Sequence, residues 1–203
     1  MQETVNMIRQ KIDEAELVLV GIGEKFSVFE QKELKSEDEN RQKPIERAYQ
    51  NLARFLEGKN YFVITTCVDD LICHAGLKQD RIVRPLAEAE KGAAVENGDG
   101  AERGAPAESG EGEAKGQEKP SAWETYLKWL QGTLHKKLLV LELGVGLKYP
   151  AVIRFPFEKT VYFNQSADFI RVHDKLFQLP AELNGRGISV KADAPLLLAE
   201  AEI

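Results

Sequence analysis

Apolar side chains follow two spacings along this chain, and the two take turns. Val5, Ile8, Ile12 and Ala15 recur at the interval of one helix face, with polar residues between them. Glu16-Leu17-Val18-Leu19-Val20 then reads as a buried parallel strand, stopping at Gly21-Ile22-Gly23. Residues 31–43 are almost wholly polar and predict a surface loop. Ile45, Ala48, Tyr49, Leu52, Phe55 and Leu56 mark a second helix face, and Gly58 stops it. Tyr61 to Thr66 is the next predicted strand, and Arg81-Ile82-Val83 a short third.

Periodic structure resumes at a capping box. Ser121 and Glu124 stand three apart, so each side chain can satisfy an orphan amide of the other. The helix behind it carries Trp123, Tyr126, Leu127, Leu130 and Leu134, a stripe that reads as packing. Trp123 and Trp129, six apart, cannot share one face, so one is expected in the core and the other exposed. Leu138-Leu139-Val140-Leu141 predicts a strand ending at Gly144-Val145-Gly146. Thr160-Val161-Tyr162-Phe163 predicts another ending at Asn164, and Phe169-Ile170-Arg171-Val172 the last. Lys175 to Leu183 reads as a short amphipathic helix, and the tail from Gly185 shows little pattern. Strands separated by helices imply an α/β fold, a mostly parallel sheet with helices on both faces.

Between these halves the pattern collapses. Residues 87–120 hold seven glycines, many Ala and Glu, and one valine, Val95. Such a stretch buries too little to offset its ordering entropy and is expected to be a disordered insert within a single domain of 1–203. It also concentrates charge, with nine acidic against four basic residues, while the whole chain carries −6. No face-sized basic cluster is visible, which argues against a nucleic-acid partner. No apolar run approaches the roughly 18 residues of a membrane span. Residues 1–9 hold no apolar signal region, so the expected location is cytoplasmic. Two cysteines, Cys67 and Cys73, make no CxxC pair, so neither a zinc site nor a disulfide framework is expected.

Candidate chemistry gathers where predicted strands end. Gly21-x-Gly23 would let backbone approach a pyrophosphate, although Phe26 stands where a dinucleotide fingerprint has its third glycine. The same pair is equally compatible with a plain turn. Thr65, Thr66, Asp69 and Asp70 follow the second strand, and such carboxylates bond a carboxamide or ribose hydroxyls, or cap the turn through Leu71 and Ala75. Gly144, Gly146 and Asn164 close two more strands, and Asn can reach a ribose. A Cys67–His74 nucleophile pair is a further option, against a capping role for His74. His135 and His173 read as structural, near helix ends.

Thr65-Thr66-Cys67-Val68-Asp69-Asp70-Leu71-Ile72-Cys73-His74-Ala75-Gly76 resembles the TQNIDGLHxxAG segment of the sirtuins. Gly21-Ile22-Gly23-Glu24-Lys25 is similar to their GAGxS, and Gly144-Val145-Gly146-Leu147 with Pro150-Ala151 to their GTSL and Pro-Ala. Val161 to Asn164 is similar to their strand ending in Asn, and Ala167-Asp168 to an Ala-Asp step before the last strand. Order and spacing agree over most of residues 15–185. The resemblance implies a Rossmann-like, sirtuin/deoxyhypusine-synthase-like fold that binds NAD or ADP-ribose, a nucleotide small molecule. It implies cofactor contacts from Gly21, Gly23, Glu24, Thr65, Thr66, Cys67, Asp69, Gly144, Gly146 and Asn164, with Asp69 the candidate catalytic carboxylate.

Several family features are replaced. Cys67 stands where sirtuins carry an Asn beside the ribose, and Arg84-Pro85 where they carry a general-base His. The four zinc cysteines are absent, the low-complexity insert taking their place, and no Asp-Phe-Arg occurs in residues 24–43. Arginine stays protonated and cannot accept a proton. The implied protein is a divergent family member without standard deacetylase activity. The alternatives are an NAD-consuming enzyme and a non-catalytic module whose acidic insert recruits a protein partner.

Overall fold

A computed structural model of the chain describes residues 1–28, 41–89, 121–183 and 185–201. Among the described residues, six strands form one sheet: β1 Leu17–Ile22, β2 Asn60–Thr65, β3 Ile82–Val83, β4 Leu138–Leu143, β5 Ala167–Val172 and β6 Gly187–Val190. Their order is β3-β2-β1-β4-β5-β6, and every pairing is parallel. This is the doubly wound, Rossmann-like order, in which the chain reverses its winding between β1 and β4. The expected α/β architecture holds.

Among the described residues, the helices that cover the two faces are α1 Gln2–Glu14, α2 Gln42–Phe55, α3 Ala122–Gln131, α4 Arg154–Phe163 and α5 Ala194–Ala199. Strand residues point alternately to the two sides. Val18, Val20 and Ile22 meet Ile8, Ile12, Tyr49, Leu52 and Leu198 from α1, α2 and α5. Leu17 and Leu19 meet Tyr126, Phe157 and Val161 from α3 and α4. The capping box forms as expected, with Glu124 N donating to Ser121 Oγ and Ser121 N to Glu124 Oε2. Trp129 packs on Phe62 with ring centroids 5.2 Å apart, whereas Trp123 is 40% exposed.

Three elements differ from the sequence reading. Thr160–Phe163 is the last turn of α4, not a strand. Phe157 and Val161, four apart, both seat on the sheet, so helical periodicity overrides the β propensity of a short apolar run. Pro156 is tolerated because the first helical turn lacks intrahelical N–H partners. Lys175–Leu183 makes no α-helix, with only a 3₁₀ turn at Ala181–Leu183. Ala167-Asp168 opens the penultimate strand, because the tail supplies both β6 and α5. Gln42 and Lys43, read as loop, begin α2, while 31–40 lies outside the described residues. Of the insert at 87–120, residues 87–89 belong to a helical turn at 85–89 in which Ala87 is buried, and 90–120 lies outside the described residues.

Candidate nucleotide site at the carboxyl edge

Parallel strands deliver their carboxyl ends to one rim, and at that rim β1 and β4 touch. Gly23 N donates to Leu143 O at 3.0 Å. A Cβ on Gly23 would lie 2.3 Å from Val145 Cα and 2.5 Å from Gly144 O, so only glycine lets the two strand tips cross. Gly144 has φ +61°, and a side chain there would meet Lys25 Cβ at 2.6 Å. The Glu24 carboxylate bridges the same two segments. Its Oε2 accepts from Gly146 N at 2.8 Å and its Oε1 from Lys148 N at 3.3 Å.

The tip of β2 is polar and buried. Thr65 Oγ1 accepts from Cys67 N at 3.0 Å, and Cys67 Sγ donates to Gly23 O at 3.3 Å. Burial pushes the Cys67 thiol up to about 12, so at neutral pH it is a protonated hydrogen-bond donor and no nucleophile. His74 is exposed on the turn Leu71–His74, so the structure does not support a Cys67–His74 pair. Asp69 Oδ1 accepts at 3.3 Å from the amide of Leu71, the first residue of the turn Leu71–His74. Its Oδ2 is buried and meets no hydrogen-bond partner, as do Thr66 Oγ1 and the Tyr49 hydroxyl. Burial raises the Asp69 carboxyl, opposed by the amides of Leu71 and Val28 and by Arg84.

Tyr49 lies in the core, as its helical spacing predicts, with its hydroxyl beside Cys67 and Asp69. It projects from α2, its ring 5.2 Å from that of Phe26. Burial first, then the charges of Cys67 and Asp69, raise its hydroxyl well above the ordinary range. Its helical spacing gave only an apolar-face signal.

Arg84 follows the tip of β3 and fastens the β2 loop. Its Nη2 donates to the carbonyls of Val68 and Asp69, both at 2.7 Å. Its Nη1 pairs with Asp70 Oδ1 at 2.6 Å and lies 3.3 Å from Cys73 Sγ. A guanidinium committed to these acceptors holds the loop and has no basic atom to offer.

Two expected ligand residues have other duties. Asn164 is corrected: as the residue after α4, it lies at the amino edge of the sheet. Its Nδ2 donates to Thr133 O at 2.9 Å and Lys136 O at 3.3 Å, and its Oδ1 accepts from Ser166 N at 3.1 Å. These groups precede β4 and β5, the opposite rim from Gly23. Gly21 is corrected too. It lies inside β1, and a Cβ there would fall 2.4 Å from Ile153 Cγ2 and 2.6 Å from Phe157 Cε2, so its smallness admits α4. Gly23, Glu24, Thr65, Thr66, Cys67, Asp69, Gly144 and Gly146 are the expected residues brought to the carboxyl edge.

The tip of β5 is His173-Asp174. Lys25 Nζ pairs with Asp174 Oδ2 at 3.0 Å. His173 Nδ1 accepts from the amides of Lys175 and Leu176 at 3.0 and 3.1 Å, and burial lowers its pKa, so the ring is neutral. Beneath this tip, Glu142 of β4 and Arg171 of β5 are register partners on the α4 face. Arg171 donates to Glu142 at 2.7 and 3.0 Å and to Glu158 at 2.7 Å. Arg154 reaches Glu142 at 3.2 Å and donates to Val145 O at 2.8 Å and Leu176 O at 3.2 Å. One buried cluster thus anchors the loops after both strands. The available signal was a lone charge within each apolar run, at Glu142 and Arg171.

No family model matches the chain. The chain is similar to the Protein ADP-ribosyltransferase of Staphylococcus aureus, at 20% identity over 192 aligned residues, covering 78% of this chain and 61% of that protein. It therefore spans about three fifths of the length of the curated relative it matches. Among solved structures it is similar to a Sir2 enzyme described for mechanism and regulation, at 13% identity and TM-score 0.47, covering 98% of this chain and 96% of that one. A mutant Sir2 homologue in complex with ADP-ribose gives 13% identity and TM-score 0.48, covering 96% and 93%. Among the described residues, no group of three or more His, Cys, Asp or Glu side chains is arranged to hold a metal ion, and no helix is long and apolar enough to cross a membrane.

Proposed function

We propose that the chain is a divergent sirtuin-like protein that binds NAD or ADP-ribose across the carboxyl edge of its sheet. The observation that carries this reading is the contact of Gly23 with Gly144 and Val145 at the point where the strand order reverses. Doubly wound sheets receive dinucleotides at that crevice. In this reading Gly23, Gly144 and Gly146 admit the phosphates, and Thr65, Thr66, Cys67 and Asp69 line the nicotinamide end. Asp69 Oδ2 and Thr66 Oγ1, without a hydrogen-bond partner within the chain, offer an acceptor and a donor, the two kinds of group a primary carboxamide bonds. Fold alone does not give function, so the proposal rests on these side chains. Titration with NAD and ADP-ribose by calorimetry tests it, and absence of heat at millimolar ligand ends it.

Standard deacetylation is not part of the proposal. The family mechanism needs a base to activate a ribose hydroxyl, and Arg84 supplies none. A second reading, cleavage of the NAD glycosidic bond with water or another acceptor, is favoured by the half-satisfied Asp69 carboxylate and by the activity named for the Staphylococcus aureus relative. Loss of nicotinamide develops positive charge on the ribose, which a nearby carboxylate stabilises without a base. Chromatographic detection of free nicotinamide, with Asp69→Asn as control, separates cleavage from binding.

A further inference from the structure

Glu24 sets a carboxylate at the junction of the two strand tips. Two backbone amides, of Gly146 and Lys148, converge on its two oxygens at 2.8 and 3.3 Å. Converging amides of this kind hold phosphate oxygens, and a carboxylate is the side-chain group that resembles them in charge and spacing. The surrounding chain is shaped around that contact. A Cβ on Gly146 would lie 3.0 Å from Glu24 Oε1, so a side chain there would crowd the carboxylate. Gly144 turns the chain with φ +61° just ahead of the two amides. The contact also sits between β1 and β4, where a doubly wound sheet meets the phosphates of its ligand.

We propose that the Gly146–Lys148 amide pair is a phosphate-oxygen cradle that the chain fills with its own Glu24 carboxylate, so that Glu24 limits the affinity for phosphate-bearing ligands. This rests on the nucleotide site proposed above and adds its internal competitor. A phosphate entering the cradle displaces the carboxylate or binds beside it against like-charge repulsion. A glutamine at position 24 keeps the shape and an acceptor oxygen but carries no charge. A ligand without phosphate meets neither obstacle.

The test titrates the full chain and its Glu24→Gln and Glu24→Ala variants with inorganic pyrophosphate, ADP, ADP-ribose and adenosine by calorimetry, with circular dichroism to verify folding. The expected result is ADP and ADP-ribose affinity at least tenfold higher in both variants, with adenosine affinity unchanged. Unchanged or weaker ADP-ribose affinity in the variants, with the wild type still binding, overturns the internal competitor and leaves the nucleotide site standing. Failure of the wild type and both variants to bind ADP-ribose or adenosine overturns site and competitor together. Should Glu24→Ala unfold, the near-isosteric Glu24→Gln decides the matter.

Discussion

Arg84 donates to the backbone carbonyl of Asp69 at 2.7 Å and so grips the loop that carries the candidate catalytic carboxylate. The second bond from the same nitrogen, to Val68 O, makes the grip two-pointed. Hydrogen bonds from charged donors contribute roughly 1.5–3 kcal/mol each, whereas an exposed ion pair contributes about 0–1 kcal/mol. Arg84→Ala is therefore expected to lower unfolding free energy by about 2 kcal/mol. Asp70→Asn, at a side chain 71% exposed, is expected to lower it far less. Urea melts of the two variants decide this, and equal losses would contradict it.

Asn164 offers a cleaner separation of stability from binding. Its removal takes a partner from the carbonyl of Lys136 and the amide of Ser166, while the carbonyl of Thr133 keeps only the amide of Lys136. Unpaired buried polar groups cost roughly 1–3 kcal/mol. Asn164→Ala should fall in that range in a denaturant melt and leave ADP-ribose affinity as it was. A selective loss of affinity at unchanged stability would return Asn164 to the ligand.

Gly23 and Gly21 should behave differently under the same substitution. An alanine at 23 forces Val145 away from β1, and one at 21 forces α4 off the sheet. Overpacking of this kind costs about 1–3 kcal/mol. Both variants lose stability, but only Gly23→Ala is expected to lose nucleotide binding as well. Parallel melts and ligand titrations of the two proteins read the difference.

The Glu142–Arg171 pair is buried, and removing one partner strands the other charge. Breaking such a pair costs about 3–5 kcal/mol, while replacing both by apolar groups is often neutral. Glu142→Leu alone should destabilise strongly, and Glu142→Leu with Arg171→Met should recover only part of the loss, because Arg154 and Glu158 remain without those partners. A double-mutant cycle in guanidinium measures the coupling.

His173 predicts a pH dependence. Burial lowers its pKa in the folded protein below the ordinary 6.5, helped by Lys25 and Arg154 and opposed by Asp174 and Glu24. The unfolded chain then binds the proton first as pH falls. The stability it contributes is complete above pH 6.5 and declines as pH drops from there through the folded value. Asp174 adds a later loss. Burial alone would raise its carboxyl, but Lys25 and His173 hold it below 3.8, so its contribution fades only beneath that pH. Thermal melts between pH 8 and 5 should show the first decline, and His173→Asn should flatten it.

Much of the scaffold is written into local sequence. The apolar runs of β1, β2 and β4 and the helix faces of α1 and α2 are short-range patterns, and so is the Ser121–Glu124 box. Each is decided by neighbours a few residues away, so each was legible. The polar strand tips at Gly23, Thr65 and Gly144 were legible for the same reason, because a parallel strand that leaves the core must end in residues that turn or face solvent. What tertiary structure alone decided is the rim each tip occupies and what faces it. Thr160–Phe163 satisfies a strand pattern and a helix pattern equally, until Phe157 and Val161 find the sheet together and carry Asn164 to the far edge. Glu142 meets Arg171 only because β4 and β5 pair in that register, and Glu24 meets the Gly146 amide only because two tips 122 residues apart cross at one glycine.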